Sequence, residues 1–399
     1  MRGEGLLRAF AVMSLVTVVR VVGSWAQTPG PSVPPAPAPA SAPAAAARGG
    51  GGIPDRLTDT QFWKLSTDLS EPNGFFRSEN LVSNEHTFQY VLPALQRQVK
   101  PAGVYLGVAP DQNFTYIVAT QPKIAFIVDI RRGNLLQHLM YKALVELSAD
   151  RAEFISRLFS KPRPSGLGAS SSVAELFAAY DHVATSQTLY TQNVEAVRRH
   201  LTVRHRFPLS SDDWEQLESI YFAFFWDGPG IRYAPLSAFG GRGGISTFPT
   251  YEELMQQTDW DGRARGYLAS EANFTLLKSM EERNLIVPVV GNFAGPKALR
   301  GVGRWVRERG GVIRAFYVSN VEQYLFQDGL FYAFAENVAT LPTDASSTFI
   351  RSVSLRYGYT GLFLGPDGRA SALDPIRAFV SDFQAGRVQS YIDVNTRSK

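Results

Sequence analysis

The sequence predicts an α/β fold in which helices cover both faces of a mostly parallel sheet. Two observations carry this prediction. A strand–turn–helix–strand pattern occupies residues 103–132, and the alternation of helix and strand patterns resumes over residues 271–319. Both stretches contain short, wholly apolar runs, which are typical of strands buried on both faces. Neighbouring parallel strands need crossover connections, and the helices supply them with a right-handed sense.

The first unit has the order of elements that holds a nucleotide. The run VYLGV predicts a strand over 104–108, a turn follows at 109–111, and a helix is expected over 112–120 before a second strand at 124–128. Gly107 lies near the end of the first strand, where the lack of a Cβ lets a ligand approach the backbone. Asp129 ends the second strand, and an acid about 20 residues after such a turn accepts hydrogen bonds from ribose hydroxyls.

The remaining elements decorate and extend this unit. Helical spacing continues through residues 54–101, and residues 132–160 predict one long helix or a pair of helices. In the second unit, a helix ends near Asn284, a buried strand LIVPVVG follows, and Gly310 and Gly311 stop the next helix before the strand VIRAFYVS. Shorter strand-like runs, TFIRSVSL and GLFLGP, come last. We predict one domain over 54–399, with N-terminal helical decoration and a helical and irregular insertion around 160–260.

The first 53 residues predict export. Arg2 and Arg8 precede or flank an apolar run, and Ser24 and Ala26 stand where a signal peptidase expects small residues, so 1–26 read as a signal peptide. Arg20 interrupts the run, which makes it a poor transmembrane helix. An uncleaved anchor and a start codon placed too far upstream are the alternatives. Residues 27–53, rich in Pro, Ala and Gly, predict a disordered linker. We expect a periplasmic or secreted protein, or a cytoplasmic one if the start is over-extended.

Composition excludes several classes of site. The 399-residue chain has no cysteine, so disulfides, thiolate catalysis and Cys-ligated metals are excluded. A net charge of +4 without a concentrated basic stripe gives no reason to expect nucleic acid as a partner. The locally basic stretch 198–207 contains two histidines and is interpreted as a solvated face. Five scattered histidines without an HExxH motif predict no metal site. Membrane contact is expected only through an uncleaved N-terminus.

Several blocks carry a resemblance to a known family. The stretch 104–129 and the later LIVPVVGNFAGPKALRGVGRWVRERGGVIRAFYVS resemble the cofactor half of class I S-adenosylmethionine-dependent methyltransferases, a Rossmann-like fold. DQNFTYI, FIVDIRR, NFAGPKA and FYVSNVEQYLF also resemble an uncharacterised bacterial family of that organisation. The resemblance implies that residues 285–319 supply the fourth and fifth strands. It also implies that Gly107 and Asp129 hold S-adenosylmethionine for methyl transfer to a small molecule or an envelope component.

The first turn departs from the family pattern of an acid followed by G-x-G-x-G. Tyr105 takes the place of the acid, and the three glycine places hold Gly107, Ala109 and Asp111. Asp111 either receives the ammonium of the methionine part in place of the missing acid or excludes the cofactor. Asn113 either donates to the ligand's carboxylate or caps the helix.

Substrate contacts are expected after the later strands. Asn292, Ser319 and Asn320 follow predicted strands, where methyltransferases contact substrate, although turn formation and helix capping explain the same residues. No catalytic residue is assigned. The alternative function is a non-catalytic envelope binding or scaffold protein with a degenerate crevice. Export favours that alternative, because S-adenosylmethionine is made in the cytoplasm.

Overall fold

A computed structural model describes residues 51–233, 248–361 and 364–399. The predicted signal peptide and the predicted linker up to residue 50 lie outside these residues. Ile53 is buried, which agrees with a folded region that begins near it. Within the described part of the chain, no helix combines the length and the apolar character needed to cross a bilayer.

Six strands of the described residues form one sheet in the order β3-β2-β1-β4-β5-β6. Strands β1 to β5 all run parallel to one another, and β6 pairs antiparallel with β5. The prediction of an α/β fold with a mostly parallel sheet is therefore confirmed. The strands are β1 (Val104–Gly107), β2 (Ile124–Asp129), β3 (Ile286–Val290), β4 (Ile313–Ser319), β5 (Thr348–Ser354) and β6 (Arg369–Pro375).

Fifteen α-helices are found among the described residues. They are α1 (Asp59–Leu69), α2 (Leu92–Gln98), α3 (Gln112–Thr120), α4 (Arg132–Leu147), α5 (Arg151–Phe159), α6 (Val173–Tyr180), α7 (Gln187–Arg199), α8 (Ser211–Asp227), α9 (Tyr251–Met255), α10 (Glu271–Glu282), α11 (Ala298–Glu308), α12 (Val321–Gln327), α13 (Phe331–Ala339), α14 (Ile376–Gln384) and α15 (Tyr391–Arg397). Since right-handed crossovers through α3 and α11 run in opposite directions across the sheet, these two helices lie on opposite faces.

Local patterns located most of the central elements. The helix predicted at 112–120 is α3, and the predicted stretch 132–160 is a pair, α4 and α5, separated where the Asp150 side chain accepts from the Glu153 amide and caps α5. Pro288 lies inside β3, where it removes a backbone donor. The sheet tolerates it because β3 is an edge strand. The Ser66 hydroxyl of α1 donates to the Pro288 carbonyl at 2.5 Å.

Three expectations were wrong. Residues 70–91 form no α-helix, since Pro72 and Gly74 end the helical pattern, and the segment runs along the carboxyl edge of the sheet instead. The described residues of GLFLGP are not a strand, and β6 lies further on. The strands in 285–319 are third and fourth in the chain, because the described residues between β2 and β3 contain helices and no strand.

The strand order creates a switch point beside β1. From β1 the chain adds β2 and then β3 on one side, and it returns across the sheet to place β4 on the other side. Helices that leave β1 and β4 on different faces open a crevice beyond the carboxyl ends of these strands, where open α/β sheets bind ligands.

Candidate functional site

A cavity of about 310 Å³ lies at this switch point. The ends of four parallel strands contribute to its wall through Val108, Asp129, Gly291 and Ser319. The segment between α1 and α2 and the helix α12 complete the wall. Its size and position are those of a small-molecule site.

Four of the seven predicted site residues line this cavity, namely Asp129, Asn292, Ser319 and Asn320. The other three, Gly107, Asp111 and Asn113, are not among its lining residues. The sequence thus located the crevice, but the first turn is used differently from the pattern that the resemblance implied.

Asn113 holds the first turn from inside. Its side chain is fully buried, accepts from the Tyr105 hydroxyl at 2.9 Å, and donates to the carbonyls of Val108, Ala109 and Pro110. A Cβ on Gly107 would lie 1.9 Å from the Asn113 Oδ1 atom. The open space beside Gly107 therefore accommodates Asn113. Asn113 is committed to the loop rather than to a ligand or a helix cap.

Ala109 occupies a backbone conformation that favours glycine. Its φ is +67°, in the left-handed region, at the second glycine place of the family pattern. Its carbonyl accepts a hydrogen bond from the His138 Nε2 atom at 2.9 Å. Burial lowers the pKa of His138 to about 4, so the ring is neutral and carries its proton on Nε2. The turn therefore keeps the backbone conformation of a glycine-rich turn, although alanine stands at its second glycine place.

Asp111 is a buried carboxyl group behind the turn. Burial raises its pKa to about 7, against the opposing effect of a hydrogen bond from the Tyr267 hydroxyl at 2.9 Å. The residue is 2% exposed and contributes nothing to the cavity wall. It neither receives a group bound in the cavity nor obstructs it.

Asp129 presents one free oxygen to the cavity. Its Oδ1 atom accepts from the Arg131 amide at 2.9 Å and lies 3.3 Å from the Arg131 Nε atom. Among the described residues, no hydrogen bond reaches its Oδ2 atom. Arg131, just before α4, is 7% exposed and is therefore buried beside Asp129. Its guanidinium also donates to the Glu79 carbonyl, which anchors the pair beneath the segment that follows α1.

The later strand ends combine structural and cavity-facing roles. Asn292 lines the cavity, but its Oδ1 atom accepts from the backbone amide of Ala294 and its backbone amide donates to the Glu71 carboxylate. It therefore shapes the turn, which is the alternative interpretation given above. Ser319 has a φ of +51° and donates its hydroxyl to Glu85 at 2.6 Å. Asn320 lines the cavity just before α12.

Glu85 is the cavity residue that sequence reasoning missed. Its carboxylate is 3% exposed and accepts from the hydroxyls of Tyr317, at 2.8 Å, and Ser319, and from the Gln112 amide at 2.9 Å. No cation pairs with it among the residues that the structure describes. Since residues 70–91 were expected to be helical, no local signal placed this acid beside the strand ends.

Aromatic side chains form the outer wall. Phe76 packs edge-on against Tyr324 of α12 at 5.1 Å between ring centroids, and Arg77 lies over the same tyrosine ring. Phe75 lines the cavity while 78% of it is exposed. Exposure of a large apolar ring at a cavity mouth is unfavourable in water, and a ligand packed against it relieves that cost.

Sequence comparison assigns the chain to a family without assigning a function. Residues 80–215 and 246–364, nearly two thirds of the chain, match the model of a domain of unknown function (DUF7790), and the chain belongs to that family. No curated protein matches the sequence.

Proposed function

We propose that the crevice binds S-adenosylmethionine and that the protein transfers its methyl group to a small molecule or an envelope component. The observation that carries the proposal is the Asp129 carboxylate at the end of β2. Arg131 holds one of its oxygens, and the other accepts no hydrogen bond from the residues that the structure describes, so it can accept from ribose hydroxyls. The strand order, with β4 and β2 flanking β1, supports a methyltransferase-like version of the α/β fold.

Charge in the cavity supports a cationic ligand. Glu85 keeps a buried carboxylate supplied with three hydrogen bonds but with no positive partner among the described residues. The Asp129 carboxylate, by contrast, already has a cationic partner in Arg131. S-adenosylmethionine carries a sulfonium and an ammonium group, and either one beside Glu85 would balance its charge in a poorly solvated site. In this proposal Glu85 balances the positive charge of the ligand, a role considered for Asp111 from the sequence.

The chemistry requires little from side chains. Bound S-adenosylmethionine supplies an electrophilic methyl group. The contribution of the protein is to hold the donor and the acceptor in line, which is a large part of the acceleration in such displacements. Asp129 and Glu85 would fix the donor, and Asn320 and Ser319 lie where an acceptor would approach.

Titration calorimetry of the full chain tests the proposal. We expect micromolar binding of S-adenosylmethionine and S-adenosylhomocysteine, weakened about 10- to 100-fold in Asp129→Asn, because a hydrogen bond to a charged group contributes about 1.5–3 kcal/mol. Asp328→Asn removes another carboxylate that lines the cavity and serves as the control, with affinity expected within about twofold of the parent. No heat at millimolar ligand, or equal losses in both variants, would contradict the proposal.

A non-catalytic envelope binding or scaffold protein is the second candidate. One observation favours it: Asn113 fills the space beside Gly107 that a glycine turn leaves for a ligand. The expected signal peptide points the same way, because an exported protein does not meet S-adenosylmethionine. If this second candidate is correct, a different small molecule occupies the same cavity, and the calorimetry shows no binding of either adenosyl compound.

A further inference from the structure

We infer that Glu146, His200 and His205 form a zinc site at the edge of the sheet opposite the crevice. The three side chains offer the Oε2 atom of Glu146 and a ring nitrogen from each histidine, all within 4.8 Å of one another. A carboxylate oxygen and two imidazole nitrogens are a common set of zinc ligands, with the fourth position left for solvent.

The backbone brings the two histidines together by an unusual turn. After α7, residues His200–Arg204 form a π-helical turn, closed by a bond from the His205 amide to the His200 carbonyl at 3.0 Å. Five residues apart, the two side chains would diverge on an α-helix. Here the rings lie 4.9 Å apart, and such turns are frequent at functional sites. This turn falls in the stretch that the sequence suggested was a solvated face, which is wrong for His205, since it is 4% exposed.

Both histidines point at one oxygen. The Nε2 atoms of His200 and His205 lie 2.7 Å and 2.8 Å from the Oε2 atom of Glu146. Tetrahedral zinc with bonds of about 2.0–2.1 Å separates its ligand atoms by about 3.3 Å. Each Nε2 atom therefore needs to move about half an ångström further from the Oε2 atom of Glu146, and the ion would take the place of the Nε2 hydrogens.

A carboxylate and an aromatic ring hold the His205 side chain in place, as is common for histidine ligands of zinc. The Nδ1 atom of His205 donates to Asp59 at 2.7 Å, and Asn284 donates to the same Asp59 oxygen at 2.9 Å. A carboxylate behind a ligating histidine fixes the tautomer and the orientation of the ring. Phe207 stacks on the His205 ring with the planes 12° apart.

Lys142 determines which oxygen of Glu146 is available. Its ammonium lies 2.6 Å from the Oε1 atom of Glu146, so Oε2 alone faces the histidines. We therefore expect monodentate ligation by Glu146. The ligand side chains are largely buried, at 7% exposure for Glu146 and 15% for His200, yet the cluster borders a cavity that also contacts Thr58 and Arg204, from which solvent supplies the fourth ligand.

The zinc site is distinct from the crevice. Arg132 begins α4 near Asp129, whereas Glu146 lies 14 residues further along the helix, about 21 Å away at 1.5 Å per residue. Asp59, Glu146 and the π-helical turn come from segments distant in sequence. Zinc would join them, so the site adds to stability and requires no ligand in the crevice.

Zinc titration of the full chain, after chelator treatment and dialysis, tests the inference. We expect micromolar or tighter binding at one site per chain and a rise in the melting temperature with zinc. His200→Ala should weaken binding about 100-fold, and Asp59→Asn, which spares all three ligands, about 10- to 100-fold. His182→Ala removes an exposed histidine outside the cluster and should leave the affinity unchanged.

Cobalt provides a readout of geometry that simple surface binding does not. Co²⁺ at this site should give the intense visible bands of four-coordination in the parent protein and lose them in His200→Ala, while circular dichroism confirms that each variant is folded. If His205→Ala fails to fold, His200→Ala and Asp59→Asn carry the test. Absence of zinc binding at micromolar concentrations, or equal binding by the parent and His200→Ala, would overturn the inference.

Discussion

Asp111→Asn isolates the energetic consequence of one buried carboxyl group. Burial raises the pKa of Asp111 to about 7 from an ordinary value of 3.8. The asparagine keeps the size of the side chain and an oxygen that can accept from the Tyr267 hydroxyl. It removes only the proton equilibrium. The comparison of parent and variant across pH therefore cancels the other titrating groups to first order.

The sign follows from where the proton binds. Between pH 4 and pH 7 the folded protein holds a proton on Asp111 that the unfolded chain has released, so the stabilisation is complete below pH 4 and declines as pH rises to 7. At about 1.4 kcal/mol per pKa unit, the free energy of unfolding of the parent should fall relative to Asp111→Asn by roughly 3 kcal/mol between pH 5 and pH 8.

Urea denaturation at pH 5, 6, 7 and 8 measures this difference, with the slope of each transition checked for constancy. Asp212→Asn removes an exposed carboxylate from the start of α8, and its stability curve should run parallel to that of the parent. Parallel curves for the parent and Asp111→Asn would show that Asp111 is ionised in the folded protein, and the burial argument would be wrong.

Two further predictions concern stability. Arg351 is 1% exposed and bonds Glu322 and Asp374, so Arg351→Met should lower the free energy of unfolding by about 3–5 kcal/mol, because the buried Glu322 carboxylate loses its cation while Asp374 keeps Arg397. Lys64→Met, which breaks an exposed pair with Asp68, should cost under about 1 kcal/mol in the same denaturation assay, and a similar cost for both would refute the reasoning. Ala109→Gly should raise stability by about 0.5–1 kcal/mol, because relief of left-handed strain exceeds the added chain entropy; a lower melting temperature would show that the methyl group contributes more.

Local patterns were most informative where burial and periodicity agreed. The apolar-rich runs that predicted β1 to β4 are largely buried strands, and the helix between β1 and β2 has the predicted bounds. Their order placed Asp129 at a strand end, and the crevice is there. The residues 70–91 show the opposite case. Their helical spacing of apolar residues arises from a segment that packs across the strand ends, and its Pro72 and Gly74 outweigh the periodicity.

Roles within the first turn depended on contacts between neighbouring side chains. The sequence predicted Gly107 and Asn113 as ligand contacts. In the structure the two residues contact each other, since Asn113 occupies the space that the missing Cβ of Gly107 leaves. Spacing shows that a glycine is present but does not show which atom fills the gap. The same limit applies to Asp111, whose tyrosine neighbours include Tyr267 and Tyr251 of α9, both distant in sequence.

The sequence by itself determined the class of fold, the position of the crevice and the acid at its edge. Those features follow from local periodicity and from the rule that parallel strands end at one edge. Only the tertiary structure brought Glu85 to the cavity and joined Asp59, Glu146, His200 and His205 into one cluster. Apart from His200 and His205, which lie five residues apart, the groups that meet in each place are separated by tens to hundreds of residues. Their proximity comes from packing between elements, which leaves no periodic signal along the chain.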